Sequence, residues 1–272
     1  MKNLIFGLTI LMAAVLSFSD VQAQGEVMED SVSIEELTIS ELSVQLIENL
    51  QAGNSTKEIE VELANISESE LKDALDTEGK RKAFWLNVYN AYVQILLIEN
   101  PDLFKDRDSV FGYNFFSSPQ VTIAGNELSF DDIEHGIIRR SKNKLSGGYA
   151  NKIFVGGFEK KFRWDSVDPR VHFALNCGAA ACPFIAAYYP DRVNEQLDIS
   201  SKQYLEETTD YYPEENRVVV NKLMSWFRAD FDGKDGSIKM LKEYGIIPQD
   251  ADPSVDYKEY DWTLELGNYK EI

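Results

Sequence analysis

Both cysteines of this 272-residue chain and one of its two histidines lie in the stretch RVHFALNCGAAACPF. Cysteine and histidine are the side chains with the most reactivity near neutral pH, so this stretch is a candidate site. The apolar run over residues 171–177 predicts a buried strand, in which successive side chains point to opposite faces. His172 and Cys177 would then lie on opposite faces, and His172 would be badly placed to deprotonate Cys177.

The cysteine pair leaves three chemical interpretations open. Cys177 and Cys182 are five positions apart with small residues between them, so the loop can close into a disulfide. A free Cys177 could instead act as a nucleophile in a setting that lowers its pKa. A zinc site from Cys177, Cys182, His172 and His135 is a weaker alternative, because structural zinc sites usually have a shorter cysteine spacing. We therefore predict no metal site and no cofactor.

The other histidine lies in the predicted helix of LSFDDIEHGIIRR. Asp131 and Asp132 precede His135 by four and three residues, so either carboxylate can reach the ring, whereas Glu134 points elsewhere. A carboxylate beside a histidine raises its basicity and can fix its tautomer. His135 is thus a candidate general base, and an exposed histidine in an acidic first turn is the alternative.

The strongest predicted helix begins at Arg81 and ends before Pro101, which cannot continue it. Apolar residues surround it on nearly every side, which is typical of a helix buried inside a domain. Three amides, Asn87, Asn90 and Gln94, fall within about 60° of one another around its axis. They are either the exposed or hydrogen-bonded side of the helix, or they line a cleft.

The remaining patterns mix helices and short strands without a regular βαβ rhythm. We predict an α+β fold, a single domain in which the central buried helix packs on a mixed or antiparallel sheet. The stretch DFDGKDGS lacks the register of a calcium loop and is interpreted as a turn. Helices are predicted at 39–50, 67–75, 222–231 and 236–245, and strands at 121–123, 171–177, 216–221 and 257–266.

The N-terminus predicts export. Residues 1–23 have the charged start, apolar centre and small-residue cleavage site of a signal peptide, cut after Ala23. Residues 24–35 are interpreted as a flexible acidic arm, and 36–272 as the globular domain. We expect a secreted or periplasmic protein that is not membrane-embedded. The net charge of −19 excludes nucleic acid as a partner. We expect a monomer that binds a small molecule or a peptide.

Four motifs, KAFWLNVYNAY, LSFDDIEHGIIR, DPRVHFALNCGAAACP and YDWTLEL, together resemble the family known as domain of unknown function 547. The motifs occur in that family's order and span residues 60–266, but the family has no settled activity. The resemblance implies that the family pattern features Asn87, Tyr89, Asn90, Glu134, His135, Arg139, Arg170, His172, Asn176, Cys177 and Cys182.

Two functional hypotheses follow from these residues. In the first, the protein is a thiol-dependent hydrolase or acyltransferase acting on an amide or acyl bond. Cys177 is the nucleophile, His135 the base, and Asp131 or Asp132 orients the imidazole, while Asn87 or Asn90 polarises the carbonyl. In the second, it is a non-catalytic extracellular binding domain in which a Cys177–Cys182 disulfide stiffens a recognition loop.

Overall fold

The computed structural model describes residues 34–107 and 114–272, which fall in one compact unit, Ser33–Ile272. The predicted signal peptide and most of the predicted arm lie outside the described residues. The last arm residues, Ile34 and Glu35, belong to a short 3₁₀ helix, in which Ile34 packs against the core. Among the described residues, no helix is both long enough and apolar enough to cross a membrane.

Four helices form the N-terminal part: α1 (Ile39–Ala52), α2 (Lys57–Asn65), α3 (Glu68–Ala74) and α4 (Glu78–Glu99). Helix α4 is the predicted central helix, and it begins three residues earlier than expected because Thr77 caps it. Its central turns are buried on all sides. It packs mainly against α1 and also contacts the later π-helix and α6.

The rest of the chain alternates short strands and helices. A hairpin of β1 (Val121–Ile123) and β2 (Asn126–Leu128) precedes a π-helix (Asp132–Ile138), α5 (Gly157–Phe162) and a 3₁₀ helix (Pro169–Phe173). Then follow α6 (Val193–Thr208), β3 (Asp210–Tyr212), β4 (Arg217–Val220), α7 (Leu223–Trp226), α8 (Gly233–Glu243) and β5 (Ser254–Tyr257). Strand β4 pairs antiparallel with β3 and parallel with β5. The predicted α+β class is confirmed.

Two apolar clusters form the core. The larger surrounds α4 and is contributed mainly by residues before α6. The smaller contains Phe173, the inward residues of β4, and the apolar faces of α7 and α8. Tyr260 packs against both clusters, which marks the place where they meet.

Two predicted strands are wrong. Residues 171–177 are not extended: residues 169–173 form a 3₁₀ helix, begun by Pro169 and capped by Asp168, which accepts a hydrogen bond from the Arg170 amide. A short apolar run cannot by itself distinguish a strand from another buried segment. Strand β5 ends at Tyr257, where the predicted strand 257–266 begins; within that range Leu264 forms an isolated bridge with Ala179.

The side-chain amides of Asn87, Asn90 and Gln94 in α4 form hydrogen bonds with buried backbone groups that belong to no strand. The Asn90 side chain donates to the carbonyl of Ala174 at 2.9 Å and accepts from the amide of Asn176 at 2.8 Å. Asn87 does the same with both backbone groups of Tyr188, at 2.8 and 2.9 Å. Gln94 accepts from the amide of Gly267 at 2.9 Å. The amides thus replace the strand partners that these segments lack.

We expect Asn90→Ala to lower the free energy of unfolding by about 2 kcal/mol or more, because two buried backbone groups lose their partner. Urea unfolding measures the change. Asn65→Ala is the matched control, since this exposed amide donates only to the carbonyl of Val61 in its own helix. Equal, small effects of the two substitutions would contradict the bracing role of Asn90.

Candidate functional site

A cavity of about 210 Å³ opens where the two apolar clusters meet. Polar groups from three separate parts of the chain face it, namely Asp131, Glu134, His135, His172 and Cys177. Six aromatic side chains form much of its wall: Tyr89, Phe116, Trp226, Phe227, Tyr260 and Trp262. His135 and Cys177 thus face the same cavity, as the thiol hypothesis required, and His172 faces it as well, although the predicted strand would have placed it on the opposite face from Cys177.

The π-helix positions the acidic side of this pocket. Its wider turns are defined by amide bonds to the fifth preceding residue, such as Arg139 to the carbonyl of Glu134 at 2.7 Å. Successive side chains are therefore rotated less than in an α-helix, and Glu134 comes to the same side as His135. The two groups approach to 3.4 Å, so the expectation that Glu134 points elsewhere is wrong.

Asp131 and Asp132 have different roles. Asp131 lies in the pocket wall, 3.6 Å from Nε2 of His135, and also pairs with Lys144. Burial raises the pKa of Asp131, and Lys144 opposes that rise. Asp132 instead accepts a hydrogen bond from the Ser129 hydroxyl at 2.6 Å and closes the start of the helix. Of the two predicted orienting carboxylates, only Asp131 is placed beside the imidazole.

The protonation state of His135 follows from its neighbour Arg139. Burial, reinforced by the nearby guanidinium, holds the pKa of His135 well below its usual range, so the ring is neutral at pH 7. Nη1 of Arg139 lies 2.9 Å from Nδ1, and a guanidinium can only donate. Nδ1 is therefore the acceptor, and Nε2 carries the proton. In this arrangement His135 is a hydrogen-bond donor to the pocket, not the free base of the sequence hypothesis.

Glu134 has the properties expected of a proton-transfer group. Burial raises the pKa of its carboxyl group to about 7, an effect that Arg139 opposes and Asp131 strengthens. Tyr89 donates a hydrogen bond to its second oxygen at 3.3 Å. A pKa close to the working pH gives a side chain access to both protonation states.

His172 is held by a hydrogen bond to Asp230, which also forms a buried ion pair with Arg139. Its Nε2 lies 2.9 Å from an Asp230 oxygen that also accepts from Nε of Arg139 at 2.6 Å. The two bonds outweigh burial and lower the pKa of Asp230 to about 2, whereas burial lowers the pKa of His172 to about 4. The imidazole stacks on Phe227, with ring centroids 3.9 Å apart. Neutral His172 therefore donates Nε2–H to Asp230 and keeps Nδ1 as its acceptor atom.

Arg139 and Asp230 form the buried base of the site. Both side chains are fully buried, and Arg139 also lies over the ring of Phe227 at 4.5 Å. Gly148, at φ +90°, covers the pair so closely that a Cβ atom there would lie 2.4 Å from the Asp230 carboxylate. Only glycine permits this approach of the backbone.

Cys177 and Cys182 form a disulfide in the pocket wall. The Tyr260 hydroxyl lies 3.6 Å from the sulfur of Cys177 and 3.2 Å from that of Cys182. Joined sulfurs are neither thiolate nucleophiles nor thiolate metal ligands, so the structure contradicts both the zinc alternative and a free nucleophile in this state. Within the described residues, no group of three or more His, Cys, Asp or Glu side chains is arranged to hold a metal ion.

The other predicted cleft residues have structural positions. The amides of α4 face backbone and do not line the pocket. Asn176 braces the cysteine loop, since its side chain accepts from the Gly178 amide at 2.9 Å and donates to the carbonyl of Pro183 at 2.7 Å. Arg170 joins Asp168 to α6 through Asp198 and is also absent from the pocket wall.

Sequence reasoning missed several members of the site. Only the first three residues of DFDGKDGS form the predicted turn between α7 and α8, because α8 begins at Gly233. The first of them, Asp230, is the partner of both Arg139 and His172. Trp226, Tyr260 and Trp262 lie within 5.7 Å of one another, measured between ring centroids. Tyr260 and Trp262 belong to the YDWTLEL motif, but the motif did not indicate their partners.

Comparison with known families agrees with the motifs. Residues 73–205 match the family described as "Protein of unknown function, DUF547". Over this segment the chain is a member of the DUF547 family. The DUF547 segment contains Glu134, His135, His172 and the disulfide, whereas Asp230 and the aromatic wall from Trp226 to Trp262 follow it. No curated protein and no solved structure matches the chain.

Proposed function

We propose that this protein is a hydrolase or acyltransferase that acts on an amide or acyl bond, with Glu134 as its proton-transfer group. The observation that carries the proposal is a carboxyl group in a pocket wall, 17% exposed and 3.4 Å from a neutral imidazole, whose pKa is raised to about 7. A perturbed carboxyl group in a cleft, with a specific charged neighbourhood, is a recurrent property of catalytic sites. Ionised Glu134 would activate water or an acceptor hydroxyl, and protonated Glu134 would return the proton to the leaving group.

The neutral state of His135 supports a second role. The Nε2 atom of His135 is 3.6 Å from the nearest Asp131 oxygen, and this distance is too long for a strong hydrogen bond. The Nε2–H group can therefore donate to another acceptor. A carbonyl oxygen that gains negative charge during attack is such an acceptor, and a fixed donor there lowers the barrier. This assignment replaces the base role that the sequence suggested for His135.

The size of the pocket limits the substrate. Pockets for drug-sized ligands occupy roughly 300–1,000 Å³, so a cavity of about 210 Å³ fits one acyl group or one peptide side chain. The aromatic wall favours an apolar or ring-containing group. We therefore propose a small acyl compound or a peptide end as the substrate.

A thiol mechanism is the second candidate, and it belongs to the reduced protein. One observation favours it: Cys177 and His135 face the same cavity. Reduction would free Cys177 as the nucleophile, whereas the disulfide form would use water. The non-catalytic alternative, a binding domain with a stiffened loop, is favoured by the disulfide itself. We also propose export through the predicted signal peptide, which N-terminal sequencing of the protein from its own compartment would test.

The activity test uses p-nitrophenyl acetate, p-nitrophenyl butyrate and amino-acid p-nitroanilides as probes, with and without reductant. We expect turnover by the oxidised wild type and a loss of about 10²–10⁴-fold in kcat for Glu134→Gln, the range typical of a general acid or base. Glu127→Gln is the matched control, because Glu127 is exposed on β2. Unchanged turnover in Glu134→Gln would overturn the role of Glu134. Turnover that depends on reductant and is lost in Cys177→Ser would favour the thiol mechanism, and binding without turnover would favour the binding domain.

A further inference from the structure

The segment from Arg140 to Arg163, here called the basic loop, differs from the rest of the chain in charge. It contains seven basic residues and one acidic residue, Glu159, although the whole chain has a net charge of −19. The basic residues are Arg140, Lys142, Lys144, Lys152, Lys160, Lys161 and Arg163. The net charge of the whole protein predicts repulsion from anionic surfaces, but this segment has an excess of basic residues. Lys144, Lys152 and Lys161 form ion pairs with nearby carboxylates. Within the described residues, Arg140, Lys142 and Lys160 form no ion pair, so they carry the positive charge that is left for an anionic surface.

The same loop exposes large apolar side chains. Leu145, Ile153 and Phe154 are 89%, 90% and 91% exposed, and Tyr149 is 69% exposed. The other large apolar residues exposed on the described part of the chain reach at most 59%. Fully exposed side chains of this size are costly in water, and they commonly mark an interaction surface when several lie together.

The loop has a defined backbone that can present these side chains. Lys142 and Asn151 form an antiparallel bridge, and the Ser141 carbonyl accepts from the Lys152 amide at 2.7 Å. Between them, Asn143 caps a 3₁₀ turn that carries Leu145. Leu145 and Tyr149 thus lie within a closed loop, and Ile153 and Phe154 follow directly after its closing bridge.

We propose that the basic loop binds the surface of an anionic lipid membrane. Apolar and aromatic side chains would enter the boundary between headgroups and acyl chains, and the lysines and arginines would lie among the anionic headgroups. Both contributions are needed, since electrostatic attraction and apolar burial add for a peripheral protein. Fully exposed apolar side chains flanked by cations fit a lipid surface better than the flat patch of a protein interface. Lys144 also lines the catalytic pocket, so binding would bring the pocket mouth close to the membrane.

The test is sedimentation of the chain without residues 1–23 with vesicles of phosphatidylcholine alone or with 30 mol% phosphatidylglycerol. We expect binding to the anionic vesicles only, and release at 0.5 M salt. The double variant Ile153→Ser/Phe154→Ser should bind at least tenfold more weakly. Lys142→Gln/Lys160→Gln should lose about fivefold per lysine. The matched control is Val61→Ser/Ile98→Ser, which removes apolar residues that are 59% and 55% exposed elsewhere.

Other outcomes would overturn the proposal. These are no binding to anionic vesicles, equal binding to neutral ones, or equal losses in the control and in the loop variants. Binding to soluble polyglutamate without binding to vesicles would assign the loop to an acidic protein instead. Because the assay measures no turnover and spares Glu134, its result is independent of the proposed catalytic function.

Discussion

Asp230→Ala is expected to lower the free energy of unfolding by about 3–5 kcal/mol, the usual cost of removing one partner from a buried ion pair. The substitution leaves the guanidinium of Arg139 fully buried without its carboxylate, and it also removes the acceptor that holds His172. Urea unfolding at pH 7 measures the loss. Asp230→Asn should lose less, because both hydrogen bonds end on the same oxygen and an amide oxygen can still accept them, so that only the negative charge is lost.

The matched control is Asp235→Ala, since Asp235 lies exposed in the first turn of α8, close to Asp230 in the chain. We expect it to change stability by no more than about 0.5 kcal/mol. A loss below 1 kcal/mol for Asp230→Ala would show that the Arg139 charge is solvated, and the described base of the site would be incorrect.

Glu134→Gln is expected to stabilise the protein at alkaline pH. Because the folded pKa of about 7 lies above the ordinary value of 4.5, folding favours the protonated acid. The stability contributed by this group is fully present below pH 4.5 and is lost as pH rises through 7. Relative to the glutamine variant, the wild type should lose about 3 kcal/mol between pH 4.5 and pH 8.

The comparison between the wild type and the glutamine variant isolates the contribution of Glu134 to the pH dependence of stability. His135 and His172 have lowered pKa values, so their contribution is present above pH 6.5 and is lost as pH falls, but it occurs in both proteins. Denaturant unfolding at half-unit steps from pH 4.5 to 8 gives the difference curve. Parallel curves for the wild type and the glutamine variant would mean that Glu134 is solvated in the folded state.

The central helix could be predicted from the sequence because it rests on local rules. The helix boundaries were predicted only in part: α2 was not predicted, and the helix predicted over 222–231 is limited to Leu223–Trp226. The helix predicted at 67–75 is α3, and Ser67 and Glu70 form a capping box at its start, a motif that their three-residue spacing favours. The all-round apolar pattern of α4 correctly predicted burial. Helix α8 ends at Glu243, two residues before the predicted end, and is followed by Gly245 in the left-handed region, where glycine commonly ends a helix.

The site could be predicted only in part, because its geometry depends on contacts distant in sequence. His135, His172 and Cys177 were candidates by residue type, and the structure brings them to one cavity. The π-helix was not foreseeable, since an inserted residue leaves no clear periodic signal, and it moved Glu134 into the pocket. Asp230 was missed because its partners are 91 and 58 residues away.

The amides of α4 show a similar limit. Their alignment along the helix axis predicted a polar line but not its partners. In the structure the three side-chain amides bond to backbone outside strands at Tyr188, Asn176 and Gly267. Because of these bonds, the apolar segment 171–177 can be buried without forming a strand. Sequence periodicity describes a helix face, whereas hydrogen-bond partners are fixed by the tertiary fold.

The most direct test of the account is the titration of Glu134 itself. Carbon-13 NMR of glutamate carboxyl groups would follow the ionisation of each side chain, and the signal absent from Glu134→Gln identifies residue 134. We predict a midpoint close to pH 7 in the oxidised protein. A midpoint close to the ordinary 4.5 would contradict the raised pKa of Glu134 on which the proposed function rests.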